Sequence, residues 1–494
     1  MGKLFYIDDM LELFDDVQRS KIFVDQKTMA DAVPKFPIEE INGKYKSLRN
    51  DSNFNLKQFV LEHFCLVKEV NLDKSDVNLS ISDHIENLWD KLYRNAKDDA
   101  GTLIELPKSY LVPGGRFVEF FYWDSYYIML GLQNSGRVDM MKNILDNCSY
   151  LIKNFGLIPN ANRTYFLSRS QPPYFSLMVE LYAETIEDPT IYQVYEEALE
   201  SEYNFWMSGI ERLNKGESFK RVVKLDDGTI LNRHYDNQNE PRPESYLIDL
   251  EIAKSSENCE IYRNIRSACE SGWDFSSRWF RDYENQSTIR TTEICCVDLN
   301  CLLWHLEKTL SYIATLNNDI SKSNDYNLKS LLRAEAIQKY FWNEKDGLYK
   351  DFDFLSGKQT DSEHAGTLFP LFFHLASNDI AAKVFFNIKS KFLFSGGVVI
   401  TTKETGEQWD YPNAWAPYQW IAYKAAQEYN EKEISKAIIN NWCSNVERVY
   451  QNTGKLMEKY NAVDINIAAG GGEYPNQDGF GWTNAVYIKL KSML

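Results

Sequence analysis

At 494 residues, with 44% hydrophobic and 25% charged side chains, the chain has ordinary globular composition and enough apolar material for a large core, which excludes a disordered or fibrous protein. The formal net charge is -17 at pH 7, and Lys and Arg are scattered among acids without forming a stripe, so nucleic acid is excluded as a partner. No run of about 18 uninterrupted apolar residues occurs, so no membrane span is expected.

The chain opens MGKLFYIDDMLELFDD, one lysine and then acids around short apolar pairs, which is not the charged and then apolar pattern of a secretory signal. Tyr6 stands where a myristoylation motif needs Ser or Thr. The eight cysteines show no CxxC and no regular spacing with the histidines, and are read as reduced, mostly buried thiols. Together these features predict a cytoplasmic protein. Residues 1–100 are acidic and mixed, with turns expected at Val33-Pro34-Lys35 and Asn50-Asp51-Ser52-Asn53, and are read as an N-terminal extension packed on the main body.

From 101 to 494 apolar-periodic segments alternate with Gly, Pro and Asn loops. One helix follows Asp188-Pro189, a cap followed by proline in the first turn, with Ile191, Val194, Tyr195, Ala198 and Leu199 on one face. The clearest carries Leu299, Leu302, Leu303, Leu306, Leu310 and Ile313 at spacings of three and four. Short strand signals at 347–352 and 397–402 suggest local hairpins. The pattern predicts an all-α fold of stacked antiparallel helical hairpins, able to close into a toroid whose loops meet at its ends.

Several loops have compositions that packing does not explain. They are Pro113 to Asp124, Pro159 to Arg163 continuing to Gln171, Pro241 to Tyr246, Gly272 to Trp279, Gln408 to Pro417, and Leu456 to Ala485 with three consecutive glycines at Gly470 to Gly472. They supply arginines, carboxylates, amides and tryptophans. Charged groups hydrogen-bond hydroxyls, and indole faces cover the C–H faces of a sugar ring, so the set suits a neutral polyhydroxyl ligand. Glycoside hydrolysis needs two carboxyl groups, and Asp274, Glu458, Asp124, Asp410 and Glu473 are the candidates, between which spacing does not choose. There is no HExxH, EF-hand loop, GxSxG or phosphate-cradling glycine loop, so no metal, cofactor or serine nucleophile is expected. The six histidines are dispersed and none is assigned a role; His305 is read as a helix-surface residue.

At these motifs the sequence resembles the trehalase family of glycoside hydrolases. PGGRFVEFFYWDSYY and QWDYPNAWAP are similar to the family's two signatures, and GGGEYPNQDGFGWTN to its glycine-rich C-terminal motif; the likeness runs from about Phe23 to the end. It implies an all-α (α/α)6 barrel over 101–494 and hydrolysis of α,α-trehalose to two glucoses with inversion at one anomeric carbon. It also implies that Asp274 is the general acid and Glu458 the general base. Sugar contacts carry over to Arg116, Trp123, Asp124, Asn160, Arg169, Ser170, Gln171, Arg242, Pro243, Glu244, Gly272 and Glu473. The expected partner is trehalose, and a monomer is expected. Asn461 departs from the aspartate common in the family, and the glycine run is short, which leaves room for altered surroundings of the catalytic pair. Two rivals stay open: a hydrolase of another α-glucoside on the same barrel, and an inactive sugar-binding protein.

Overall fold

The computed structural model describes residues 4–70, 79–96 and 101–494. Among the described residues, twelve helices alternate between an outer and an inner layer. They are α1 (Ile81–Leu92), α2 (Tyr122–Asn134), α3 (Val138–Phe155), α4 (Phe175–Ile186), α5 (Glu196–Trp206), α6 (Val297–Leu316), α7 (Ile320–Phe341), α8 (Phe369–Phe372), α9 (Asn378–Asn387), α10 (Ala416–Glu428), α11 (Lys432–Thr453) and α12 (Gly481–Lys491). The even-numbered helices α2, α4, α6, α8, α10 and α12 follow one another around an inner ring, which closes where α12 packs back on α2. The result is the all-α (α/α)6 barrel.

The two layers follow from sequence. Helix α2 is buried at every position from Tyr122 to Leu132, and α12 at nearly every position, as helices apolar on all sides must be. Outer helix α3 buries a stripe instead, with Met141, Ile144, Leu145, Cys148, Leu151 and Ile152 facing inward. The expected leucine face of α6 is fully buried.

Three local readings are corrected. The helix expected after Asp188-Pro189 is broken: Asp188 Oδ1 accepts from the Thr190 amide at 2.9 Å, a single turn spans Ile191–Val194, and α5 restarts at Glu196. Val194 is consequently 65% exposed while Tyr195, Ala198 and Leu199 are buried. Val33–Pro34 is not a turn but pairs antiparallel with Phe64–Cys65, proline lying at the end of a short edge pair. His305 is only 8% exposed, its Nδ1 at 2.9 Å from Ser176 Oγ and its Nε2 at 3.2 Å from Glu180.

The N-terminal residues form a second apolar cluster in which Leu13, Phe14, Met29, Ile41 and Phe59 pack with Phe121, Ala161, Tyr165 and Phe166 from the barrel loops. Those loops are the ones that the sequence marks as chemically unusual.

Candidate active site

At the loop-bearing end of the barrel lies a pocket walled by charged, amide and aromatic side chains. Arg116, Trp123, Asp124, Asn160, Arg169, Gln171, Arg242, Glu244, Gly272, Asp274, Glu458 and Glu473 all line it. Ser170 and Pro243 do not. Ser170 is buried behind the wall, donating to the Ile158 carbonyl at 2.6 Å and, through its amide, to Glu270 at 3.0 Å. Pro243 starts the short helical turn that carries Glu244.

Asp274 enters the pocket because of the glycine before it. The helix Ile261–Ser271 ends at Gly272, whose φ of +80° is the left-handed conformation that glycine adopts freely. A Cβ there would stand 2.7 Å from Trp123 Cζ2, so the chain turns flat against that indole. Behind Asp274, Trp273 and Trp409 stack with ring centres 5.6 Å apart, and Trp409 and Trp415 at 4.0 Å. Burial against this wall pushes the Asp274 carboxyl up to about 7; Arg242 and Arg169 pull it down and Glu473 pushes it further up.

Glu458 is placed by a strand pair and a wrap. Lys459–Asn461 pairs antiparallel with Asn413–Trp415, setting Lys459 opposite Trp415 and joining two sequence motifs that lie far apart. The following segment folds over it: the Glu458 amide donates to the Gln477 carbonyl at 2.8 Å, and Trp482 Nε1 donates to the Glu458 carbonyl at 2.9 Å. The Tyr474 hydroxyl donates to Glu458 Oε1 at 2.9 Å. Oε2 is buried and makes no hydrogen bond within the protein. Burial raises the Glu458 carboxyl above its ordinary range, against which Lys459, the Tyr474 hydroxyl and Arg116 favour the ionised form.

Lys459 reaches the same floor. Its Nζ donates to Gln408 Oε1 at 2.7 Å and to the Gly471 carbonyl at 3.1 Å, and Gln408 Nε2 donates to the Asp274 carbonyl. One lysine therefore ties the glycine run to the loop beneath Asp274. Glu473, which ends that run, accepts from Arg242 Nη2 at 2.8 Å and from Ser245 Oγ at 2.7 Å.

The polar wall is pre-ordered by its own ion pairs. Arg242 is held by Asp249 at 2.6 Å, and Arg169 donates to Glu244 at 2.7 Å and to Asn160 at 3.1 Å. Burial pushes Glu244 toward its neutral form, but Arg169, Arg242 and Arg266 outweigh it and hold the carboxyl below its usual range. Arg169 Nη1 and Glu244 Oε2 are buried without a hydrogen-bond partner. Arg169 Nη1 lies 3.5 Å from Asp236 Oδ2, an ion pair, so Glu244 Oε2 and Glu458 Oε2 are the two acceptors left over, which fits a ligand rich in hydroxyls.

The other candidate carboxylates separate by surroundings. Asp124 lines the pocket, and burial together with Glu458 and Asp274 pushes it well above its ordinary range. Asp410 lies behind the wall and accepts from Ser276 Oγ, Thr405 Oγ1 and the Ser277 amide at 2.6, 2.6 and 2.9 Å, which makes it a hub for loop structure. Cys296, Asp298 and Asp351 bring metal-type side chains together, but Arg278 lies between the two carboxylates at 2.7 Å from each, supplying the positive charge. Phe117, Phe166 and Ser245, which lie within the marked loops but carry no expected sugar contact, also line the pocket, as do Lys27 and Cys269, which lie outside those loops. Lys27 arrives from far away in sequence.

Comparison with known proteins agrees with this architecture. The trehalase family model matches residues 15–494. The periplasmic trehalase of Salmonella paratyphi B is 45% identical over 487 residues, covering 98% of this chain and 85% of the relative, and that of Salmonella agona is 44% identical over the same span. Among solved structures, the neutral trehalase Nth1 of Saccharomyces cerevisiae superposes with a TM-score of 0.64 at 22% identity, covering 86% of this chain and 81% of the other. The GH63 mannosylglycerate hydrolase of Thermus thermophilus shares the fold at 12% identity and a TM-score of 0.57, covering 83% of this chain and all of the other.

The curated relatives are named periplasmic, which overturns the cytoplasmic reading. The physical reason lies in the thiols. All eight cysteines are unpaired, but Cys148, Cys269, Cys295, Cys296, Cys301 and Cys443 are buried, so packing accounts for their free state without a reducing compartment. The barrel, the placement of the signature loops around one pocket, and a match that extends over nearly the whole sequence lead to one conclusion: this chain belongs to the trehalase family.

Proposed function

We propose that the protein hydrolyses α,α-trehalose to two glucose molecules with inversion, Asp274 acting as general acid and Glu458 as general base, in the periplasm. The observation that carries this reading is the unlike surroundings of two buried carboxyls in one aromatic-walled pocket. Asp274 keeps its proton up to about pH 7 because burial disfavours its charge, so it has a proton to give to the departing glycosidic oxygen. Glu458 has cations and a phenol on its side, and its Oε2 is free to accept a hydrogen bond from a water. That water, losing its proton to Glu458, attacks the anomeric carbon from the face opposite the leaving oxygen. Arg169, Arg242, Glu244 and Glu473 hold hydroxyls, and Trp123, Trp409 and Trp482 cover the ring faces. Residues 101–494 supply eleven of the twelve barrel helices and every lining group but Lys27, the twelfth helix being α1 (Ile81–Leu92), and the site is built within one chain.

The test is glucose release from α,α-trehalose by the purified protein, beside maltose and beside Asp274→Asn and Glu458→Gln. Turnover of trehalose alone, reduced in both variants by about two to four orders of magnitude, is expected from the usual worth of a general acid or base. Turnover of maltose in place of trehalose moves the specificity to another α-glucoside, and near-normal rates in either variant would sink the catalytic assignment.

A further inference from the structure

The N-terminal segment reaches the pocket through one carboxylate. Asp25, in the loop after the helix Leu11–Arg19, takes Arg116 in a two-pronged grip: Nε donates to Oδ2 at 2.8 Å and Nη2 to Oδ1 at 2.7 Å. The loop is itself pinned. Asp25 Oδ1 accepts the Lys27 amide at 2.9 Å, Gln26 Oε1 accepts the Leu247 amide at 2.5 Å, and Gln18 Nε2 donates to the Gln26 carbonyl at 2.9 Å. Arg116 lines the pocket with its guanidinium over the Tyr474 ring, 4.8 Å from the centroid. Tyr474 is the group that donates to Glu458 Oε1.

These contacts form a chain from Asp25 through Arg116 and Tyr474 to Glu458. We infer that Asp25 is a positioning residue for the hydrolysis proposed above, acting on Glu458 through Arg116. The competing arrangement is simple: a guanidinium in this low-dielectric pocket, released from its partner, is drawn to the nearest anionic oxygen. The Glu458 carboxylate is faced by Lys459, Arg116 and the Tyr474 hydroxyl, with Asp124 and Asp274 also close enough to couple to its charge or to that of its neighbours. Glu473 also faces Arg116 but is already held by Arg242 and Ser245, so Arg116, freed from Asp25, would turn to Glu458 and take the oxygen that the water needs. By occupying two donors of Arg116 and keeping it flat on Tyr474, Asp25 leaves Glu458 basic and oriented, and leaves Nη1 of Arg116 for a sugar hydroxyl.

The experiment is a double-mutant cycle of Asp25→Asn and Arg116→Ala, read as kcat, KM and the pH profile of kcat/KM on trehalose, with melting temperatures for every variant and Asp25→Glu as the conservative control. Asp25→Asn is expected to lower kcat/KM at least about tenfold and to move the acid limb to lower pH, because Arg116 would then stabilise the Glu458 anion. In the Arg116→Ala background the same change should have almost no further effect, and Asp25→Glu should restore part of the loss. Losses that multiply, or that simply follow a fall in melting temperature, would overturn the inference and leave a structural ion pair. Absence of trehalose hydrolysis by the unaltered protein would overturn the functional reading itself, and this role with it.

Discussion

Asp274, the proposed general acid, shows what keeping a buried carboxyl neutral costs the fold. Its carboxyl titrates near 3.8 when exposed and at about 7 in the pocket, so between those pH values the native state binds a proton that the unfolded chain has released. The sign follows: with more protons bound in the native state, stability falls as pH rises through this window, and the full penalty is present above about pH 7. Asp274→Asn removes the titration. The variant is therefore expected to melt higher than the unaltered protein at pH 8 and to lose that advantage near pH 4, although it has lost turnover. A melting-temperature difference that does not change between the two pH values would show that burial does not hold this carboxyl in its neutral form. In its proposed role as general acid the same residue is expected to set the activity profile, the rate falling as pH rises past about 7 and Asp274 gives up its proton.

The glycine run behaves as one element with the loops beneath it. Gly471 has a φ of +80°, and a Cβ on it would overlap the Gly406 carbonyl oxygen, while one on Gly472 would stand 2.6 Å from Gln408 Oε1. Both positions therefore need glycine for close approach as well as for backbone conformation. Gly471→Ala is expected to lift the run off the Gln408 loop, loosen Lys459 from the Gly471 carbonyl and withdraw Glu473 from Arg242 and Ser245. A rise in KM of about tenfold, with a smaller change in kcat, is the expected result, since misplaced contacts to hydroxyls remove binding that ground state and transition state share. An unchanged KM would show that this loop does not hold substrate.

Elements of this kind are half visible in sequence. The glycines, the aromatic run and the carboxylates of 456–485 stand out because no helix or strand accounts for them, and the leucine spacing of α6 is unambiguous. What sequence does not reveal is partnership. Asn413–Trp415 and Lys459–Asn461 are too short to read as strands, yet their pairing sets Lys459 against Trp415. Asp410 carries the same local signature as Asp274, an acid after tryptophan, and only its three short hydrogen bonds from Ser276, Thr405 and Ser277 identify it as structural.

At the scale of the whole molecule, the barrel gathers loops from distant parts of the chain at one end, and the N-terminal segment packs against the same loops. Its apolar cluster includes Phe121 and Phe166, which also line the pocket, so folding of that segment and shape of the site are physically joined. This is why residues 1–100 look like an extension in sequence: apart from the family likeness that starts near Phe23 they carry no catalytic motif, and the positioning role proposed for Asp25 comes from its geometry with Arg116. The compartment escapes the sequence for a related reason, because cysteine counts report thiols but not their burial. The proposed inverting hydrolysis of trehalose, by an acid and a base on opposite faces of one bond, can be followed by proton NMR of the first products before the anomers equilibrate. Water attacking one α-linked carbon with inversion while the other glucose departs unchanged predicts equal initial amounts of α- and β-glucose. Release of α-glucose alone, or no glucose at all, would contradict it.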